Sequence, residues 1–262
     1  MEWLPDRRRV AVADGVELSV VDQAPARAAE CLVFIHGAAG HLVHWQHMIK
    51  HFSPTYRTVA MDLRGHGESD KPESTYALEE LVADVERLVE QLALPERFVL
   101  VAHCFGAALA LTYAARHSER LRKMVLISTS SLIPLTPVWR PLLTLPTVLV
   151  EPVRRMVAKR VCCPTHVLKQ FLPRTVYPWN GWNLLEQIKT PTLVLIAEND
   201  KIIPPAYTRR MAEHIVGSRV EVIRHSWHLP ILERPDAVNR AMERFLTDQV
   251  KSWRGTVETP AE

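Results

Sequence analysis

Short, unbroken apolar runs most limit how this chain can fold: Cys31-Leu-Val-Phe-Ile35, Thr58-Val-Ala-Met61, Phe98-Val-Leu-Val-Ala102, Met124-Val-Leu-Ile127 and Thr192-Leu-Val-Leu-Ile-Ala197. Runs of this length without polar alternation suit strands that are covered on both faces. Helical patterns lie between them. From Leu78 to Leu92 the apolar residues fall at 78, 81, 82, 85, 88, 89 and 92, one face of an amphipathic helix, and Pro95 closes the connection behind it. A helix rich in small residues is expected from Phe105 to about His117, others near Pro205–Ile215 and Pro235–Val250, and a further strand at Val220-Glu-Val-Ile223. This alternation implies an α/β fold, a mostly parallel central sheet with helices on both faces. Ahead of it, Val10-Ala-Val12 and Val16-Glu-Leu-Ser-Val-Val21 flank Asp14-Gly15, a hairpin that adds antiparallel strands at one edge.

With 262 residues, 47% hydrophobic and 23% charged, the chain suits one soluble domain whose core needs no staples. A net charge of +3 is too small to argue for nucleic acid. Cysteines 31, 104, 162 and 163 lack the spacing of a disulfide framework, and a reduced, cytoplasmic setting fits them best. The stretch from Met1 to Arg9 has no apolar run of the kind a signal peptide needs. Pro134, Pro137, Arg140, Pro141 and Pro146 interrupt the greasiest segment, Leu132–Val150, so no membrane span is expected. Residues 255–262 read as a flexible tail.

In parallel sheets the chemistry gathers at the carboxyl ends of the strands. That directs attention to His36, Asp62, Cys104, Ser128, Asp200 and the stretch His225–His228. At Phe98–Ala108 an apolar strand runs into His103-Cys104 and then into the small-residue helix. A nucleophile on so sharp a turn is held in a strained conformation and needs small neighbours two before and two after, which Ala102 and Gly106 supply. The free amides and dipole at the helix start favour a thiolate and a developing oxyanion. Between Ser131 and Lys189 the alternation stops, and an insertion there emerges at the same edge, where it can cover the site.

From Val10 to Val250 the chain resembles the α/β-hydrolase superfamily, in the branch with an inserted cap. The resemblance rests on His36-Gly37-Ala38-Ala39-Gly40, on Asp62-Leu-Arg64-Gly65-His-Gly67-Glu-Ser69 and on the turn around Cys104. It rests also on the strand ending at Asp200 and on Trp227-His228 followed by Glu233-Arg-Pro235. It implies an α/β-hydrolase fold with its core in residues 1–130 and 190–254 and a helical cap at 131–189. Two positions depart from the pattern. Ala102 stands where glycine is usual, and Cys104 where serine is commonest; cysteine nucleophiles occur in the superfamily among dienelactone hydrolases and polyhydroxyalkanoate synthases. The resemblance makes Cys104 the nucleophile and His228 the general base. His225 is a rival, but the Glu-Arg-Pro five residues beyond His228 matches the family's spacing. Of the two strand ends that carry the acid in this family, one is followed by Thr129, Ser130 and Ser131 and the other by Asp200, which is therefore the implied third member. Glu198 reads as a rim residue. The oxyanion hole is implied at the backbone amides of Ala38 and Phe105, with His36 holding the loop.

His41, His44, His47 and His51 recur on one stretch, but neither cysteine nor carboxylate joins them, and they read as the exposed side of the first helix. No metal or cofactor is expected. Cys162-Cys163 reads as two apolar lid residues, with a strained vicinal disulfide as the alternative. Trp139, Tyr177, Trp179 and Trp182 are expected to wall a pocket for an apolar acyl group. From Arg140 to Lys189 eight cationic residues face two acidic ones, a net of +6 against +3 for the whole chain. Such a cap could steer an acyl group carried on coenzyme A or an acyl carrier protein; a solvated helix face explains the same cluster.

The resulting expectation is hydrolysis of an ester, thioester or lactone through an acyl-Cys104 intermediate and a Cys-His-Asp triad. An acyltransferase, polymerising synthase or cyclase would pass the acyl group from Cys104 to an acceptor other than water. A non-catalytic ligand receptor on the same scaffold is the third reading.

Overall fold

The computed structural model describes residues 5–28, 30–134, 143–156 and 162–248. The strands are β1 (Arg7–Ala13), β2 (Val16–Gln23), β3 (Cys31–Ile35), β4 (Arg57–Met61), β5 (Phe98–His103), β6 (Leu121–Ile127), β7 (Thr192–Ala197) and β8 (Arg219–Ile223). They form one sheet in the order β1-β2-β4-β3-β5-β6-β7-β8. β2 runs antiparallel to both of its neighbours, while β3 to β8 pair in parallel. Gly15, with φ +67, makes the tight turn of the opening hairpin.

The described helices are α1 (Gln46–Phe52), α2 (Leu78–Gln91), α3 (Gly106–Arg116), α4 (Thr147–Met156), α5 (Thr165–Phe171), α6 (Trp182–Leu185), α7 (Pro205–Glu213), α8 (Pro230–Glu233) and α9 (Pro235–Thr247). Val33, Ile35, Leu100 and Ala102 point to the sheet face covered by α2, α3 and α7. Leu32, Phe34, Val99 and Val101 point to the opposite face, under α1 and α9. This two-sided burial is why the strands are apolar at every position. On α2 the apolar stripe buries Leu81, Val82, Val85, Leu88 and Val89. Its first turn is closed by Glu80, whose carboxylate accepts from the Ala77 amide at 2.9 Å.

The strand order reverses at β3, which has β4 on one side and β5 on the other. Loops leaving β3 and β5 therefore diverge and open a crevice at their carboxyl ends. Gly37–Gly40 and Cys104 lie at that crevice. The fold alone brings them together.

One expectation needs correction. The histidine stretch is not a single helix with an outer face: Leu42–Trp45 is a 3₁₀ turn and α1 starts at Gln46. The tighter turn changes the period, so His44 is buried while His47 and His51 are exposed. Among the described residues, no helix is long and apolar enough to cross a membrane.

Candidate active site

Cys104 follows β5 directly and takes φ +50, which costs a side-chain-bearing residue about 1–3 kcal/mol. Its backbone is held there from both sides. The Cys104 amide donates to Ile127 O at 3.0 Å, and its carbonyl accepts from Ala107 N at 3.1 Å and from Thr129 Oγ1 at 2.7 Å. Glycine is required at two adjoining points. A Cβ on Gly37 would lie 2.8 Å from Cys104 Cβ, and one on Gly106 would lie 2.7 Å from the carbonyl oxygens of both Ile35 and His36.

Asp200 follows β7 and His228 lies in the loop after β8. Asp200 Oδ2 is 2.8 Å from His228 Nδ1, and Oδ1 accepts from the amides of Ile202 and Ile203 at 2.8 and 2.9 Å. Those amides fix the carboxylate, which in turn orients the ring so that Nε2 is left for Cys104. Burial opposes a charge on His228. The charge on Cys104 and hydrogen bonds to Asp200 and Cys104 outweigh it and push the imidazole up to about 10.

His225 is mostly exposed, and its amide donates to Glu198 at 2.7 Å, so this pair braces the loop rather than approaching Asp200. A group without an assigned role in the sequence is His103. It is buried, and burial first and the charge of His228 second hold it well below the usual histidine range. The neutral ring donates from Nε2 to the His228 carbonyl at 2.7 Å, tying the thiol-bearing turn to the histidine loop.

The loop after β3 is braced by two buried neutral histidines. His36 Nδ1–H donates to Gly37 O at 2.8 Å while its Nε2 accepts from Leu63 N at 2.9 Å. His66 Nδ1–H donates to Arg64 O at 3.0 Å while its Nε2 accepts from Ala39 N at 3.2 Å. Burial lowers both, His66 to about 4. Behind them, Asp62 accepts from Leu42 N at 2.7 Å and from Glu68 N at 2.9 Å. The Ala38 and Phe105 amides have no protein acceptor among the described residues and flank Cys104. Two such donors can hold an oxyanion.

Cys104, His228 and the Gly37–Gly40 loop line a cavity of about 630 Å³, a size typical of small-molecule sites. Its other described walls include Ile133, Pro134, Leu172, Val176, Tyr177, Ile202, Trp227 and Leu229. The Tyr177 hydroxyl is buried without a partner among the described residues, and burial first and the charge on Cys104 second push it up to about 12. The other expected aromatic walls differ. Trp179 borders a separate hollow with Leu78, Thr112 and Asn183. Trp182 stacks against Arg210, with the guanidinium 5.0 Å from its ring centre. Trp139 lies outside the described residues. His103, Ile202, Trp227 and Leu229 stand one or two residues from Cys104, Asp200 or His228, and that adjacency was the available signal for them. Leu172 and Val176 carried none, because they reach the cavity from a wide five-residue π turn, Leu172–Val176.

The segment after β6 is tied to this loop through Cys162, whose amide donates to Ala39 O at 2.8 Å and whose carbonyl accepts from Gly67 N at 3.2 Å. No disulfide joins Cys162 to Cys163. Of the cations between Arg140 and Lys189, Arg154 is engaged by Glu151 at 2.6 Å, and Lys169 donates to Leu145 O, so neither is a freely solvated charge.

Residues 30–147 match the family described as alpha/beta hydrolase fold. Protein ABHD8 of Homo sapiens is 25% identical over 246 residues, covering 84% of this chain and 56% of that protein. The chain thus spans just over half the length of that relative. Epoxide hydrolase 3 of Xenopus tropicalis is 26% identical over 262 residues, which cover 83% of this chain and 71% of the relative. Among solved structures, the enol-lactonase from Burkholderia xenovorans LB400 is similar with a TM-score of 0.79 at 25% identity, covering 91% of this chain and 99% of that one.

Proposed function

Because the chain belongs to the α/β-hydrolase superfamily, we propose that it hydrolyses an ester, thioester or lactone through an acyl-Cys104 intermediate. The observation that carries this reading is the 2.8 Å contact between His228 and Asp200, on a ring that lines the same largely apolar cavity as Cys104. The Cys104 thiolate attacks the carbonyl carbon, and the negative oxygen is received by the Ala38 and Phe105 amides. His228 gives its Nε2 proton to the leaving oxygen or sulfur, then takes one from water, which releases the acid and restores the thiol–imidazole pair. Asp200 keeps the Nδ1 proton in place and stabilises the imidazolium. The aliphatic walls receive the acyl group, and the Tyr177 hydroxyl is available to a polar substituent on it.

Lactones are included because the similar solved structure is of an enol-lactonase. Coenzyme A or an acyl carrier protein remains a suitable leaving group for a thioester. Four cysteines without a disulfide among them accord with a reducing compartment such as the cytoplasm. The test is intact-protein mass spectrometry after exposure to activated esters and acyl thioesters. An adduct on Cys104 that disappears in water alone supports hydrolysis. An adduct that persists until an alcohol, amine or carbanion is added supports acyl transfer instead. Ligand binding without any adduct supports a receptor and overturns the proposal.

A further inference from the structure

The cavity around Cys104 has two unlike ends. Ile133, Leu172 and Val176 are buried and aliphatic, whereas Lys201 and Trp227 line the same space and are exposed. A two-step acyl transfer gives these ends different tasks. The leaving group departs while the acyl group is still bonded to sulfur, so it must occupy the end that is open to solvent. The exposed end is therefore where a leaving group is recognised.

Both exposed side chains stand on fixed backbone. Trp227 N donates to Glu233 at 2.5 Å, the neighbouring Ser226 O accepts from Asn199 N at 2.9 Å, and His228 O accepts from His103 Nε2 at 2.7 Å. The indole is nevertheless 55% exposed, a flat apolar surface held out at the rim. Lys201 follows Asp200, whose Oδ1 accepts from the Ile202 and Ile203 amides at 2.8 and 2.9 Å. Its ammonium has no partner among the described residues, while Glu233, the carboxylate of the rim, is engaged by the Trp227 amide. A ring that stacks on the indole and offers a negative charge to the ammonium satisfies both. The reach is short as well. Lys201 and Trp227 each stand one residue, about 3.8 Å along the chain, from the Asp200–His228 pair. An arm as long as pantetheine would carry its nucleotide past them, so a compact leaving group fits this rim better than coenzyme A.

We propose that Lys201 and Trp227 select esters whose leaving group is an aromatic ring bearing a carboxylate. The proposal rests on the acyl-Cys104 reading. The thiolate bonds to the acyl carbon, the bond from that carbon to the ring oxygen breaks, and the oxygen takes the Nε2 proton of His228 and leaves as a hydroxyaryl carboxylate. Water then releases the acid from Cys104.

The experiment compares the butanoate esters of 4-hydroxybenzoate, 4-hydroxybenzamide and (4-hydroxyphenyl)trimethylammonium at low and high salt. The parent is expected to favour the anionic ester over the neutral one about tenfold in kcat/KM, and less at high salt, the scale of one opposed charge at a partly screened surface. That preference is expected to vanish in Lys201→Gln, to reverse in Lys201→Glu and to survive in Lys201→Arg. Trp227→Ala is expected to cost the aryl esters about tenfold more than the methyl ester of the same acid. A parent without the preference, a preference that survives in Lys201→Gln, or faster reaction of the trimethylammonium ester would overturn the proposal while leaving the Cys104 adduct intact. Calorimetry with 4-hydroxybenzoate and 4-hydroxybenzamide reads the rim without acylation. Should no ester label Cys104, tighter binding of the benzoate that Lys201→Gln removes would keep the rim and discard only the acyl-enzyme, whereas equal binding of the two would discard the rim.

Discussion

Replacing Asp200 by asparagine separates what the carboxylate does for His228 from what it does for the fold. The side chain has two jobs on two oxygens: Oδ2 meets His228 Nδ1 at 2.8 Å, and Oδ1 accepts from Ile202 and Ile203 at 2.8 and 2.9 Å. An amide can keep the second job through its carbonyl oxygen but must present N–H to the ring. The ring then accepts at Nδ1 and carries its proton on Nε2, the nitrogen that faces Cys104, so it cannot take the thiol proton. Losing a charge-assisted hydrogen bond costs about 1.5–3 kcal/mol. At the upper end that is roughly a hundredfold in rate, and His228 should fall from about 10 by about one to two units. Stopped-flow acylation by a p-nitrophenyl ester, with the adduct on Cys104 verified by mass, should slow about ten- to a hundredfold in Asp200→Asn. The melting temperature should stay near that of the parent. Asp200→Ala should lose stability as well, since two amides are left unpaired at about 1–3 kcal/mol each. Acylation within threefold of the parent, together with an unmoved His228 resonance in a pH titration, would refute the assignment.

Two further outcomes follow from geometry already described. Buried neutral histidines should make the protein acid-labile: His66 lies near 4 when folded and about 6.5 when unfolded, so only the unfolded chain takes up this proton as pH falls through that window. His36 and His103 shift in the same direction. Urea unfolding should therefore show about 3 kcal/mol or more lost between pH 7.5 and pH 4, whereas His228, raised to about 10, stabilises below 6.5 and ceases to do so as pH rises through 10; equal stability at pH 7.5 and pH 4 would contradict this. Gly106→Ala places a methyl 2.7 Å from two carbonyl oxygens of rigid backbone, and should cost about 1–3 kcal/mol by thermal melting and slow acylation of Cys104; a variant with parental melting and parental acylation would show that the turn is looser than described.

Much of the frame was readable in the sequence for reasons the structure makes plain. The run Cys31–Ile35 is a strand from end to end because each of its residues is buried on one face or the other. The spacing from His228 to Glu-Arg-Pro is also a physical device. Glu233 accepts from Trp227 N at 2.5 Å and Arg234 Nε donates to His225 O at 3.0 Å, so the motif clamps the loop that presents the imidazole. The cavity walls were harder to read. Trp182 is as aromatic as Tyr177, but its ring is drawn under Arg210, a partner contributed by α7 that no local pattern announces. His44 looked like part of an exposed ladder until the 3₁₀ turn rotated it inward. Helical periodicity says which residues share a face only while the helix keeps its period.

The two hydrogen bonds of Cys162 join roof and floor. Any displacement of the segment that carries Cys162 has to break or strain the bond at Ala39 O, one residue from the Ala38 amide, and the bond at Gly67, beside the Asp62 carboxylate. If Ala38 is the oxyanion donor proposed above, its aim depends on that segment staying in place, and Cys162→Pro, which deletes one of the two ties, should slow acylation without touching any group that meets the carbonyl.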